Sequence, residues 1–303
     1  MKIVIAGASG LVGRALAPSL RGAGHEVRRL VRGRGVASPD EIAWDPAAGA
    51  LDAAHLEGVD AFINLAGENV GERRWTTARR ERIRLSRING TRTLVAAIEQ
   101  MARKPAVLVN ASAIGFYGDR GDEVLTEASA AGRGFLSDVC RAWETQAEGA
   151  ARVGVRTVLA RFGLILTPQG GALAKMLPLF RLGLGGRMGS GRQWMSWMAI
   201  DDVLGGITHA LNHDGCAGPM NFAAPEAVPN AEFAGVLGRV LRRPTLLPVP
   251  AWALRIAVGT ALANEALLSS QRASPQRLSE AGYAFRHATL EAALRSALGG
   301  EKL

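Results

Sequence analysis

Short apolar runs alternate with longer amphipathic stretches through the first half of the chain. The runs at 2–6, 26–31, 61–65, 107–111 and 156–162 are rich in Val, Ile, Leu and Ala, the texture of strands covered on both faces. Between them Leu11, Ala15, Leu16 and Leu20 recur at helical spacing, and Leu94, Ala97, Ile98 and Met101 do the same later. Gly22 and Gly24 close the first helix. One strand–helix–strand unit of about thirty residues is the size of a single crossover. Its repetition predicts an α/β protein with a doubly wound parallel sheet and helices on both faces.

After Leu166 the pattern changes to glycine-rich loops carrying Trp194 and Trp197, followed by helical segments. The run 219–223 reads as one more strand, so the chain is expected to return to the sheet at about 215–225. The predicted organisation is a nucleotide-type domain over 1–165 and a smaller substrate-side, C-terminal lobe over 166–303, interleaved with the first.

The 303 residues are 48% hydrophobic and 21% charged, which fits a globular protein rather than a disordered one. The net charge of +9 raises the question of a polyanion partner. The arginines are spread along the whole length without a clustered footprint, so no specific nucleic-acid binding is expected. Cys140 and Cys216 stand far apart in sequence and make neither a disulfide framework nor a metal set. They fit a reducing, cytoplasmic setting. The late apolar stretch 251–268 carries Arg255, Asn264 and Glu265 and fails as a membrane span, so no membrane partner is expected. His25, His55, His209, His213 and His287 lack metal-site spacing, and no metal is expected.

Gly7, Gly10 and Gly13 fall between the first strand and the first helix. In that context an early glycine allows the tight turn, the middle one lets a pyrophosphate approach, and the last permits close helix–strand packing. Helix N-terminal amides then face the phosphates. This is a Rossmann-type dinucleotide site. At the end of the second strand, where an acidic residue would meet a ribose 2′-hydroxyl, the sequence reads Val27 to Arg32 with no carboxylate. Arg32 is placed to meet a 2′-phosphate, so NADP(H) is the expected cofactor.

Five later segments are more specific than the glycines: INLAGENV (63–70), RRWTTARRERIRLSRINGTR (73–92), ASAIGFYGDRGDEVLTE (111–127), GGALAKMLPLFRLGLGGRMGSGRQWMSW (170–197) and the tail from Ser274 through Phe285. With GASGLVG (7–13) they resemble the atypical extended short-chain dehydrogenase/reductases known as epimerase family proteins, or short-chain dehydrogenase family 39U, including that group's small C-terminal domain. The resemblance runs end to end. It implies cofactor contacts from Ser9, Leu11 and Val12 among the three glycines, from Val31 and Arg32, from Leu65, Ala66 and Gly67, from Arg87 and from Ala111. Arg82 is a weaker candidate. From charge alone the run Arg79, Arg80, Arg82, Arg84, Arg87 reads as a solvated helix face.

The superfamily's usual catalytic pair is Tyr-x-x-x-Lys. Aligned on Glu144, this chain has Leu136 at the Tyr position and Cys140 at the Lys position, so the pair is absent. Ser112, at the end of the fourth run, and Tyr117 are the remaining catalytic candidates, each with a structural alternative as a strand-end serine or a packed turn tyrosine. Asp119, Asp122 and Glu123 read as a solvated acidic turn, and Asp201 and Asp202 as helix-capping residues. Two functions of different class follow. One is an NADP(H)-binding oxidoreductase or epimerase-like enzyme acting on a small polar substrate. The other is a catalytically weak NADP(H)-binding protein with a structural or redox-sensing role. A monomer or homodimer is compatible with either.

Overall fold

The computed structural model describes residues 1–33 and 38–299. Seven strands form one parallel sheet: β1 (Lys2–Ala6), β2 (Glu26–Arg32), β3 (Glu41–Trp44), β4 (Ala61–Asn64), β5 (Val107–Ala113), β6 (Arg156–Phe162) and β7 (Gly218–Phe222). Their spatial order is β7-β6-β5-β4-β1-β2-β3, every neighbour parallel. The reversal of strand order beside β1 creates the crevice in which α/β proteins of this type bind ligands. The sequence pattern anticipated six of the seven strands. It missed β3, whose four residues EIAW give only two inward positions, Ile42 and Trp44.

Alternation along the strands sorts the core into two layers. Ile3 and Ile5 of β1 pack with Leu16 and Leu20 of α1 (Leu11–Gly22). Val4 and Ala6 face the other way, toward Leu94 and Ile98 of α2 (Thr77–Gln100). Helix α3 (Phe135–Arg152) lies beside α2, and α5 (Ile200–Asn212) beside α1. Helix α4 (Gly171–Arg181) and α6 (Asn230–Leu241) contribute Leu177, Phe180, Phe233 and Leu237 to a separate cluster that also takes Leu290 and Leu294 from the C-terminal region.

Asp202 joins these parts. Its buried carboxylate accepts from the backbone N–H groups of Arg286 (2.7 Å) and His287 (3.1 Å) and from the Tyr283 hydroxyl (3.0 Å). The residue read as a helix cap is instead the anchor that ties the tail to the sheet domain. The acidic turn is similarly employed. Asp119 accepts from the Ser270 N–H, Asp122 accepts from the Trp194 indole, and Glu123 pairs with Arg120. No helix among the described residues is long and apolar enough to cross a membrane.

Candidate functional site

Four adjacent strand ends, those of β5, β4, β1 and β2, line up along the carboxyl edge of the sheet. The loop leaving β1 crosses the end of β4 very closely. Gly7 has φ +79°, and a Cβ there would lie 2.7 Å from the Leu65 carbonyl carbon and 2.8 Å from the Ala66 N. A Cβ on Gly13 would lie 2.4 Å from the Gly7 oxygen, so only glycine lets α1 seat on the strand. At Gly10 the nearest atom would be the Gly7 oxygen at 3.2 Å, and the space above it is open.

Gly10 is the N-cap of α1. It offers no side-chain cap, and the first turn holds no acidic residue. The amides of Leu11, Val12 and Gly13 therefore present unneutralised donors, with Ser9 exposed beside them. A helix start left in this way favours an anion, and a pyrophosphate satisfies both the donors and the helix dipole. The residues present thus fit a dinucleotide. Across the neighbouring strand end Val31 is half-buried and Arg32 is exposed. Arg32 sits opposite Trp44 of β3 and makes no ion pair among the described residues.

The exit of β4 is held from beneath by a buried polar cluster. Asn64 donates to Thr91 Oγ1 (2.8 Å) and Asn110 Oδ1 (2.7 Å) and accepts from the Ala66 N–H (3.2 Å), and the Trp143 indole donates to Thr91 (2.8 Å). Arg87 leaves α2 to lie against Gly67, donating to the Glu68 and Ile83 carbonyls at 3.0 Å and resting 5.0 Å over the Trp143 ring. Burial lowers its pKa from the ordinary guanidinium value, partly offset by Cys140 and Glu68. Arg79 is also buried, bonded to Glu68 and to the Asn69 carbonyl. The expectation of a solvated arginine face thus fails at Arg79 and Arg87, because the folded-back segment 67–70 supplies carbonyls and a carboxylate that helical spacing alone does not reveal. Ala111 is buried in β5, level with Ala160.

Ser112 and Tyr117 are brought together, but in the interior. Ser112 donates to Glu144 Oε1 (2.6 Å), and Glu144 in turn takes two hydrogen bonds of 2.8 Å from Arg161. Tyr117 donates to Asn221 Oδ1 (2.7 Å) and accepts from Arg161 (3.0 Å). Burial pushes the Tyr117 pKa up. Burial opposes the Arg161 charge too, yet the Glu144 bonds outweigh it and its pKa stands above the ordinary value. Cys140, where a lysine would stand, is buried, and burial followed by the Glu144 charge pushes its pKa to about 11. Leu136 has no proton to give. The polar groups of this region are thus occupied with one another. Tyr117→Phe should accordingly destabilise the fold by about 1–3 kcal/mol, the penalty for unpairing buried groups, as read by urea denaturation. An unchanged midpoint would contradict this arrangement.

Between the two parts of the chain lies a pocket of about 210 Å³, lined from the sheet domain by Gly115, Gly118, Asp119, Arg133, Leu136 and Ser137, and from the C-terminal part by Asn264, Glu265, Ser269 and Gln271. Glu265 accepts from the Leu136 N–H at 2.9 Å, so a carboxylate from the second part covers the start of α3. Its Oε1 takes no hydrogen bond among the described residues. Sequence reasoning missed Glu265, which is distant in the chain and carries no local motif. Elsewhere Leu11 packs against Gly170 and Gly171, and Trp75, Phe135, Leu136 and Leu262 cluster together.

The glycine turn and the uncapped helix start beside the strand-order reversal define a protein of the extended short-chain dehydrogenase/reductase kind. Residues 3–223 match the NAD dependent epimerase/dehydratase family, and residues 249–297 match a domain of unknown function, DUF1731. The chain belongs to the NAD dependent epimerase/dehydratase family. It is 45% identical over 292 residues to an epimerase family protein of Mycobacterium tuberculosis, covering 96% of each chain. With Epimerase family protein YfhF of Bacillus subtilis it shares 35% identity, covering 100% of this chain and 99% of that one. The crystal structure of human epimerase family protein SDR39U1 (isoform 2) with NADPH superposes with a TM-score of 0.89 at 34% identity, covering 99% of both chains.

Proposed function

We propose that this is a cytoplasmic, NADP(H)-dependent oxidoreductase of epimerase-like type, acting on a small polar substrate held in the pocket between Leu136 and Glu265. The observation that carries the cofactor reading is Arg32, an exposed cation at the tip of β2 with no ion-pair partner among the described residues, one strand from the uncapped start of α1. That the human relative was crystallised with NADPH supports it. Bound there, the dinucleotide supplies or accepts hydride. Gly7, Gly10, Gly13 and the α1 amides hold its pyrophosphate, Arg32 binds the 2′-phosphate, and Leu65 to Gly67 with Arg87 shape the adjoining wall.

Ser112 and Tyr117 serve this site by positioning: together with Glu144 and Arg161 they fix the loop leaving β5 from which Gly115 and Gly118 enter the pocket. Proton transfer falls to Glu265, the carboxylate with an oxygen left free at the pocket wall. Arg32→Ala should remove most of the preference for NADPH over NADH, about tenfold or more for one charge-assisted contact, with melting behaviour unchanged. A preference that survives the substitution would refute the assignment.

A second reading, a cofactor-binding protein with little catalysis, is favoured by Leu136 and Cys140 at the two positions where acid/base chemistry is usual. The two readings separate on Glu265→Gln, which keeps the Leu136 hydrogen bond. In a screen of carbonyl and nucleotide-sugar substrates, the enzyme reading expects turnover in the natural protein and a loss of about 10²-fold or more in the variant, with NADPH affinity unchanged. Stabilisation by NADPH without any turnover would favour the binding protein.

A further inference from the structure

At the end of the molecule formed by the second part of the chain, two segments run side by side. Val249 N–H donates to the Arg187 carbonyl (2.8 Å), Arg243 donates to the Arg181 carbonyl (2.8 Å), and Gly186 abuts the Leu247 carbonyl. The helix that follows, α7 (Ala251–Val258), has no buried residue although six of its eight side chains are Ala, Val, Leu or Ile. Large apolar side chains of these segments are exposed: Leu182 at 71%, Leu246 at 84%, Trp252 at 65% and Ile256 at 64%. Among monomeric surfaces such a concentration marks an interaction site.

The charges carried by these two segments have one sign. No Asp or Glu occurs between Glu148 and Asp201, nor between Glu232 and Glu265. Arg187, Arg242, Arg243 and Arg255 all lie in these stretches, and all four are exposed with no ion pair among the described residues. A second copy offering the same face would set arginines against arginines, so self-association through it is electrostatically opposed. The complementary partner is apolar and anionic together.

We propose that this face is a peripheral docking surface for an anionic lipid bilayer. Leu246, Trp252 and Ile256 enter the headgroup boundary while the surrounding arginines meet lipid phosphates. A fluid interface closes around side chains that protrude this far, and Trp is suited to the headgroup level. The absence of a spanning helix does not bear on such contact, which needs only a surface patch.

The test is cosedimentation of the full chain with vesicles of phosphatidylcholine alone and of phosphatidylcholine mixed with phosphatidylglycerol. Binding is expected to the mixed vesicles only, and to weaken as salt is raised. The double substitution Arg242→Gln, Arg243→Gln should reduce partitioning by about twenty-five-fold, roughly fivefold for each arginine lost. Leu246→Ser with Trp252→Ser should reduce it by about tenfold or more. Retained stabilisation by NADPH serves as the measure of intact folding in each variant. Equal binding to the two vesicle types, no binding to either, or binding untouched by both variants overturns the proposal. So does a dimer in sedimentation equilibrium that Leu246→Ser, Trp252→Ser abolishes while vesicles bind nothing.

Discussion

Glu144→Leu is expected to lower the stability of the protein by about 3–5 kcal/mol, because it leaves the Arg161 charge buried and unpaired. Both side chains of the pair are almost fully buried, at 3% and 6% exposure. Ser112 and Tyr117 lose order with them, since each bonds to one member of the pair. At two to four degrees per kcal/mol the melting temperature should fall by roughly 10 °C. Removing both charges with Glu144→Leu, Arg161→Met should restore more than half of that loss, because paired deletion of a buried ion pair is far milder than breaking it. A single variant within about 1 kcal/mol of the natural protein, the usual range of an exposed pair, would show that the pair is not buried as described.

Gly13→Ala should strike both stability and cofactor binding, whereas Gly10→Ala should strike chiefly binding. The Gly13 methyl would meet only backbone, 2.4 Å from the Gly7 oxygen and 2.6 Å from the Ala8 Cα. Nothing there yields except by lifting α1 from β1, and overpacking of this kind costs about 1–3 kcal/mol or more. Gly10 has an ordinary φ of −76° and a single neighbour at 3.2 Å, which need give by only a few tenths of an ångström, so alanine strains the folded chain far less there than at Gly13. That methyl would stand in the phosphate cradle and weaken NADPH binding by about tenfold or more, the worth of one charge-assisted hydrogen bond. Thermal melting with and without NADPH separates the two. An unaltered NADPH shift in Gly10→Ala would remove the phosphate from this helix start.

The pattern of the chain revealed the sheet because its strands are covered on both faces and so read as continuous apolar runs. The glycine turn was legible because Gly7 and Gly13 answer steric demands, and Gly10 leaves room for a ligand, at the spacing the sequence expresses. The interior polar network leaves only a partial signal in the sequence. Arg161 interrupts the apolar run of β6, and Asn64 and Asn110 end or interrupt β4 and β5. A polar residue in a doubly covered strand must be paired, so these three mark buried partners even when the partners cannot be named. Glu144 and Asp202 could not be assigned from the chain because their partners come from other segments, 17 to 85 positions away. The same holds for Glu265, which meets Leu136 across 129 positions.

The most direct test of the account is calorimetric titration of the natural protein with NADPH and with NADH at one salt concentration. Arg32 and the absence of a carboxylate at the end of β2 predict NADPH binding at least about tenfold tighter, the effect of one charge-assisted contact to the 2′-phosphate. Equal affinity for the two cofactors, or tighter binding of NADH, would contradict it.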